Sequence, residues 1–202
     1  MMMRIPCFLA ALVVSAFVLT GCKSPQTYFY TLSSAVDPMA AAEIPAHSPV
    51  AVGIGPVNVA GYVDRPEIII RDNAHAVELQ DYRQWAEPLV NGLPAVLTRN
   101  IAALLPADHV DSYPQTTPTP LAFRVQVEIT RFDLSRSGEA TLTARWQLFD
   151  AGTGRFVLSR TSTMKEQAAD AAADAGVGAL SRTLGKLAAE IAVQLAMLAG
   201  VP

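Results

Sequence analysis

The stretch that decides the fold is residues 121–150, LAFRVQVEITRFDLSRSGEATLTARWQLFD, because it contains two alternating runs. Within residues 121–129 every second residue is apolar, and most of those between are Arg, Gln or Glu. Residues 140–148 repeat this pattern with Thr, Arg and Gln between the apolar positions. A period of two is typical of strands that bury one face. Together with a third strand predicted at residues 155–163, the two runs predict an antiparallel meander.

Two apolar stripes have the spacing of a helix instead. In residues 85–104, apolar side chains recur at steps of three and four, starting at Trp85. Pro88 suits a first helical turn, whereas Pro94 predicts either a kink or a separate helix over residues 94–105. The second stripe, in residues 177–198, predicts one amphipathic helix packed on a sheet.

The remaining patterns complete an α/β domain, with α+β as the open alternative. Short strands are predicted at residues 28–32, 50–59, 67–71 and 75–80, whereas residues 33–49 are rich in Ala, Pro and Ser and predict a loose connection. The order of elements predicts a mixed, mostly antiparallel sheet with two main helices packed on it.

Two glycines lie inside one of these strand patterns. Gly53 and Gly55 are followed by Pro56, and no Gly-Lys-Ser/Thr sequence accompanies them. They therefore predict a bulge or a close backbone approach and not a nucleotide-binding loop.

Composition excludes several classes of protein. The chain has 202 residues, of which 51 % are hydrophobic and 16 % are charged, with a formal net charge of −3. This apolar content excludes global disorder, and the lack of a basic excess gives no reason to expect a nucleic acid partner. Two cysteines are too few for a disulfide scaffold.

The chain begins with the pattern of a secretory signal peptide. Arg4 precedes an apolar run over residues 5–19, which is marginal for spanning roughly 30 Å of hydrocarbon. An uncleaved anchor helix is the alternative. The run ends in Leu19-Thr20-Gly21-Cys22, which resembles the lipobox of bacterial lipoproteins.

This resemblance implies that residues 1–21 are cleaved and that Cys22 carries diacylglycerol and an N-terminal acyl chain such as palmitate. Three acyl chains hold a protein to a membrane far more firmly than one. In lipoproteins of enteric bacteria, Asp directly after the lipidated Cys favours retention in the inner membrane. Lys23 occupies that position here, so the resemblance points to the periplasmic face of the outer membrane. The expected divisions are the signal peptide 1–21, a lipidated N-terminus with first strand and linker 22–49, and the main domain 50–202, to which the first strand also belongs.

No residue pattern indicates catalysis. His47, His75 and His109 are far apart and have no partner cysteine, which makes a transition-metal site improbable on spacing alone. Ser112 follows His109 closely, but with Asp108 and Asp111 these residues are interpreted as the surroundings of a short strand. We predict a protein that is not an enzyme and has no cofactor, metal or catalytic residue.

One loop is unusual without being catalytic. Residues 61–66, Gly-Tyr-Val-Asp-Arg-Pro, place an aromatic, an aliphatic and two opposite charges between two strands. They predict either a packed turn with an Asp64–Arg65 cap or a contact surface, since binding residues concentrate on rigidly held loops. The candidate partner-binding residues are Tyr62, Val63, Arg65, Pro66 and Trp85, and Trp85 is alternatively a core residue.

Three stretches of the chain together resemble the PqiC/YmbA family of ABC-type transport auxiliary lipoproteins. They are residues 28–32 (YFYTL), residues 59–69 (VAGYVDRPEII) and residues 82–89 (YRQWAEPL). The chain departs from the family pattern at Val63, where Leu is expected, and at Gln84, where Arg usually precedes the Trp.

The resemblance implies a non-catalytic lipoprotein at the outer membrane. Its expected partners are that membrane, bound through the acyl chains, a periplasm-spanning MCE-domain protein and its inner-membrane permease. Such systems are thought to move phospholipids or other hydrophobic molecules, and a homo-oligomer would suit docking on a symmetric tunnel. The alternatives are a structural envelope-assembly lipoprotein, a periplasmic hydrolase, which needs a pocket of convergent polar groups, and a soluble lipid carrier, which needs a cavity for an acyl chain.

The lipobox leads to a direct prediction. Mass spectrometry of the protein made in its own host should find the mature chain starting at Cys22, with lipid on its sulfur and amine. Cys7→Ser, a change inside the predicted signal, should leave that product unchanged. A mature chain with an unmodified Cys22 sulfur would reject the anchor.

Overall fold

The computed structural model describes residues 25–42, 44, 50–105, 110–114 and 120–200. The elements in these residues are, in chain order, β1 (Tyr28–Tyr30), α1 (Pro38–Ala42), β2 (Val52–Val59), β3 (Glu67–Arg71), β4 (Val77–Trp85), α2 (Leu89–Leu104), β5 (Val110–Ser112), β6 (Phe123–Ser135), β7 (Glu139–Asp150), β8 (Phe156–Gln167) and α3 (Ala173–Ala199). They form an α/β fold with one open mixed sheet of eight strands, as the sequence predicts.

The sheet is organised around β6. Along one side β6 pairs antiparallel with β7, and β7 pairs antiparallel with β8, which confirms the predicted meander. The other side of β6 is shared, because its first half pairs with β2 and its end with β3, both parallel. Beyond these strands lie β5, parallel to β2, and then β4 and β1 beside β3.

One core lies between the inner face of this sheet and the two long helices. The alternating apolar residues of β6 and β7 are buried, with Val125, Leu142 and Trp146 at 0 % exposure. The helices α2 and α3 contact each other and the sheet, and each buries one apolar stripe. At roughly 1.5–3 kcal/mol per large buried side chain, this shared core is the main source of stability.

The boundary between β4 and α2 differs from the prediction. Trp85 is the last residue of β4, and its backbone N–H donates to the Pro66 carbonyl at 2.6 Å, so it does not begin the helix. The helix begins at Leu89 and continues unsplit past Pro94. The periodicity misled because Trp85 is buried in the same core as the α2 stripe, although it reaches that core from a strand.

The glycines of β2 behave as predicted. The pairing of β2 with β6 shifts register between Ile54 and Val57. Gly55 has φ of +138°, and a Cβ there would collide with the Tyr113 carbonyl. The backbone conformation and the close approach both require glycine at this position.

Residues 31–37, here called the N-terminal strap, correct the prediction of a loose connection. The strap runs from β1 to α1 and crosses both long helices. The Ser33 N–H donates to Ser181 Oγ at 3.2 Å on α3, and Ser34 Oγ donates to the buried Asn100 Oδ1 at 2.6 Å on α2. A Cβ on Gly185 would collide with the Ala35 carbonyl. Composition could not show this docking, because it depends on acceptors far away in the sequence.

Gly185→Ala tests the docking of the strap. We expect a loss of about 1–3 kcal/mol in the free energy of unfolding through overpacking, or faster proteolysis within residues 31–37 if the strap undocks. Urea unfolding followed by tryptophan fluorescence, together with limited proteolysis, measures both effects.

The matched control is Gly178→Ala on the same helix, where an added Cβ would lie 3.4 Å from Arg182 Nη1 and near no backbone atom of another element. It should leave proteolysis unchanged and stabilise by up to about 1 kcal/mol through helix propensity. Equal behaviour of the two variants would contradict strap docking at Gly185.

Candidate partner-binding loop

The loop between β2 and β3 is a tight turn held by its own backbone. The Ala60 carbonyl accepts hydrogen bonds from the N–H groups of Val63 (2.8 Å) and Asp64 (3.1 Å), while the Ala60 N–H donates to Ile129 of β6 at 2.9 Å. The Val63 side chain is fully buried in the main core. The conformation of the loop is therefore set before any partner arrives.

Behind the loop lies a cluster of charged and aromatic side chains centred on Asp133, whose side chain is fully buried. Arg71 Nε lies 2.8 Å from Asp133 Oδ2, and Arg131 Nη2 lies 2.9 Å from Asp133 Oδ1. Arg71 Nη2 also donates to the Tyr62 hydroxyl at 3.2 Å, and that hydroxyl donates to the Thr130 carbonyl at 3.2 Å. The cluster thus connects the loop to β3 and β6.

Burial and neighbouring charges shift the pKa values of Arg71 and Tyr62 in this cluster. Burial favours the neutral form of Arg71, but its hydrogen bond and attraction to Asp133 outweigh this and raise its pKa. Burial, followed by the negative charge of Asp133, raises the pKa of Tyr62 above its ordinary value of 10.0. Tyr62 is consequently neutral at physiological pH, so its hydroxyl can accept from Arg71 and donate to Thr130 simultaneously.

Asp64 connects the loop to α2. Its Oδ1 accepts the N–H of Val90 at 3.2 Å, in the first turn of the helix. The residue before the helix, Pro88, provides no side-chain cap, so Asp64 supplies an acceptor from another part of the chain. Asp64 thus caps α2, whereas the predicted Asp64–Arg65 cap within the turn is not among the hydrogen bonds of the described residues.

Trp85 supports the loop from below. It is 6 % exposed, and its ring centroid lies 6.3 Å from that of Phe132. An open recess of about 430 Å³ separates the loop from the start of α2. The recess is lined by Asp64, Arg65, Pro66, Trp85, Ala86, Glu87 and Pro88.

The structure divides the five candidate partner-binding residues into two groups. Tyr62, Arg65 and Pro66 are exposed and lie together on the loop, with Tyr62 at 36 %. Val63 and Trp85 are buried and support the loop, and Trp85 also lines the open recess. Cys22, the predicted lipidation site, lies outside the described residues.

Sequence reasoning missed the charged cluster behind the loop. Arg131 and Asp133, two residues apart on one strand, share a face of the sheet, and this was the available signal. Arg71 could not be added from the sequence, because it reaches Asp133 only through the parallel pairing of β3 with β6.

The residues considered for chemistry are dispersed. Within the described part of the chain, no group of three or more His, Cys, Asp or Glu residues could hold a metal ion. His75 is exposed, Ser112 ends β5, and Asp108 and His109 lie outside the described residues. Two further recesses, of about 520 and 460 Å³, are open at the surface near the C-terminal end of β8, one beside the start of α3 and one beside the N-terminal strap.

The chain matches a known protein family over most of its length. A family model described as ABC-type transport auxiliary lipoprotein component matches residues 30–192. The chain belongs to this family, as the sequence motifs predict. It is therefore an auxiliary lipoprotein component of ABC-type transport, and membership of a lipoprotein family implies membrane anchoring in the periplasm.

Solved structures share the fold at low sequence identity. Protein XCC0632 from Xanthomonas campestris is 16 % identical with a TM-score of 0.68, covering 84 % of this chain and 95 % of its own. A second crystal structure, of an uncharacterized protein, is 18 % identical with a TM-score of 0.68, covering 85 % of this chain and 99 % of its own. No curated protein matches the chain. Of the helices in the described residues, none is both long and apolar enough to span a bilayer.

Asp133→Asn tests whether the cluster holds the loop. Removing the charge leaves Arg71 and Arg131 without their counter-ion. We expect the free energy of unfolding to fall by about 2–3 kcal/mol, which is less than for breaking a fully buried ion pair because both arginines are partly exposed. Chemical denaturation measures the loss, and amide hydrogen exchange in residues 60–66 should accelerate.

Asp72→Asn is the matched control, since Asp72 pairs with Arg136 at the exposed surface. It should cost less than about 1 kcal/mol and leave exchange in the loop unchanged. Similar losses for the two variants would show that the buried carboxylate has no special role.

Proposed function

We propose that the protein is an outer-membrane-anchored periplasmic lipoprotein that acts as a non-catalytic adaptor in an MCE/ABC-type intermembrane lipid transport system. The observation that carries the proposal is the loop at residues 60–66, in a chain that belongs to the transport auxiliary family. The loop presents Tyr62, Arg65 and Pro66 to solvent on a base of buried side chains and ion pairs.

The anchor in this proposal is Cys22, with its acyl chains in the outer membrane. Six residues further on, Tyr28 begins β1, which pairs with β4 at one edge of the sheet. The N-terminal strap then fixes the following residues to both long helices. A pull on the lipid anchor would thus reach the core directly, as an adaptor between a membrane and a partner requires.

The contact surface in this proposal is the exposed part of the loop. Tyr and Arg are the residue types that most often dominate binding energy at interfaces. Because hydrogen bonds to Ile129, Thr130 and Val90 already hold the loop, binding would cost little conformational entropy. We assign this surface to the MCE-domain protein, which connects to the inner-membrane permease.

Two features support a binding role over catalysis. The charged cluster behind the loop is paired internally, since Asp133 is shared by two arginines and Tyr62 bonds to Arg71. The adjoining recess is open and shaped by Trp85 and two prolines.

The proposal also includes a homo-oligomer. Several copies of the protein would surround a symmetric tunnel, since a symmetric partner offers each copy an equivalent site.

Arg65→Ala and Tyr62→Ala test the surface. Each should reduce the amount of MCE-domain protein that co-purifies with the lipoprotein from envelopes in mild detergent, because each removes an exposed side chain of the contact. Tyr62→Phe, which keeps the ring, should retain more partner than Tyr62→Ala.

The matched control is Arg155→Ala, an exposed arginine in the turn between β7 and β8. It should leave recovery unchanged, and thermal unfolding should show that all variants are folded. Full recovery with Arg65→Ala and Tyr62→Ala would reject the loop as the contact. Absence of any MCE-domain protein from the wild-type preparation would reject the MCE-domain protein as the partner.

A further inference from the structure

The edge of the sheet formed by β1 and the end of β4 exposes a group of aromatic side chains. Tyr28 is 53 %, Phe29 64 % and Tyr82 50 % exposed. Arg83 is the register partner of Tyr28, is exposed and makes no ion pair with any residue that the structure describes. We call these four residues the aromatic edge. Tyr28 and Phe29 are successive strand residues and point to opposite faces, so aromatic rings are exposed on both faces of this edge. An occupant that surrounds the edge would cover both.

We propose that the aromatic edge lies in the headgroup region of the phospholipid bilayer that holds the lipid anchor. This inference rests on the proposed lipidation of Cys22. It adds that the folded domain itself contacts the bilayer, in a defined orientation, and is not merely tethered near it.

The length of chain between the anchor and the edge favours this occupant. Tyr28 follows Cys22 by six residues, and a fully extended chain of that length spans at most about 20 Å. The headgroup region on each side of a bilayer is on the order of 5–8 Å thick. The acyl chains therefore hold the aromatic edge close to the membrane surface. The effective concentration of the edge at that surface is consequently high.

The chemistry of the edge also fits a membrane interface. Tyrosine has an apolar ring and a polar hydroxyl, and such amphipathic rings concentrate at the level of the headgroups. The cations of Lys23 and Arg83 would be attracted to anionic lipids. Asp81, exposed beside Tyr82, offsets part of this attraction, so the rings carry the larger share.

The proposed orientation has a consequence for the partner. The loop leads into β3, two strand spacings from β1 and hence about 10 Å above the headgroups. The opposite edge, β8, lies five strand spacings from β1, about 24 Å away across the sheet. The end of a periplasmic tunnel that binds the loop would consequently be brought close to the membrane surface.

Nitroxide labels measure this orientation. The mature lipoprotein, produced with its own signal, would be placed in vesicles of phosphatidylethanolamine and phosphatidylglycerol. A lipidated Cys22 cannot take the label, so Thr31→Cys beside the aromatic edge and Ser159→Cys on β8 each provide one labelling site. Both positions are exposed and uncharged. Power saturation with oxygen and a water-soluble nickel chelate should place residue 31 at the interface and residue 159 in water.

Phe29→Ser and Phe156→Ser complete the test. Phe156 is 56 % exposed on β8 and is the matched control for Phe29. Phe29→Ser should abolish the difference between positions 31 and 159, whereas Phe156→Ser should preserve it. Both proteins should remain bound through their lipid.

The outcomes separate the two proposals. Equal, water-like accessibility at positions 31 and 159 in a protein with lipidated Cys22 would overturn the membrane contact alone. An unmodified Cys22 in the mass spectrum would reject the anchor and, with it, this inference. A Phe29→Ser protein that keeps the full difference would show that the aromatic edge does not set the orientation.

Discussion

The burial of one face of β6 is the constraint on which the rest of the structure depends. This strand pairs with β7 along one side and with β2 and β3 along the other, so its register determines that of the whole sheet. A shift by one residue would exchange the buried face of β6 for its polar face. Because α2 and α3 pack on the same face, the burial of Val125, Val127 and Ile129 also decides where both helices lie.

The other face of β6 has a different constraint, which is a buried charge. Asp133 is fully enclosed, and a carboxylate in that position is tolerable only with close cations. Arg131 comes from the same strand, whereas Arg71 comes from β3 and also contacts Tyr62. The pairing that compensates one buried charge thus also fixes the loop between β2 and β3. Loop and sheet are therefore mechanically one unit, which suits a contact surface on an adaptor.

The N-terminal strap is a third connection, between β1 at the edge of the sheet and the core. It uses small polar residues and one glycine, so its docking depends on close backbone approach and not on apolar area. Together with β1, it passes the chain from the sheet edge across both helices. In the proposed anchored protein, the fold therefore holds the chain from β1 onward, so the orientation of the domain can follow from the position of its edge.

Several features could be predicted from local sequence. The meander, the two long helices and the need for glycine in β2 follow from period two, period 3.6 and backbone sterics, which act within a few residues. The family follows from motifs that are contiguous in the chain. Only the tertiary structure decided that Trp85 ends a strand, that the strap docks, and that Val63 is buried while Tyr62 and Arg65 are exposed. It also brought Arg71 to Asp133. These outcomes depend on groups distant in the sequence, whose approach is determined by the parallel pairing of β3 with β6 and by the packing of one shared core.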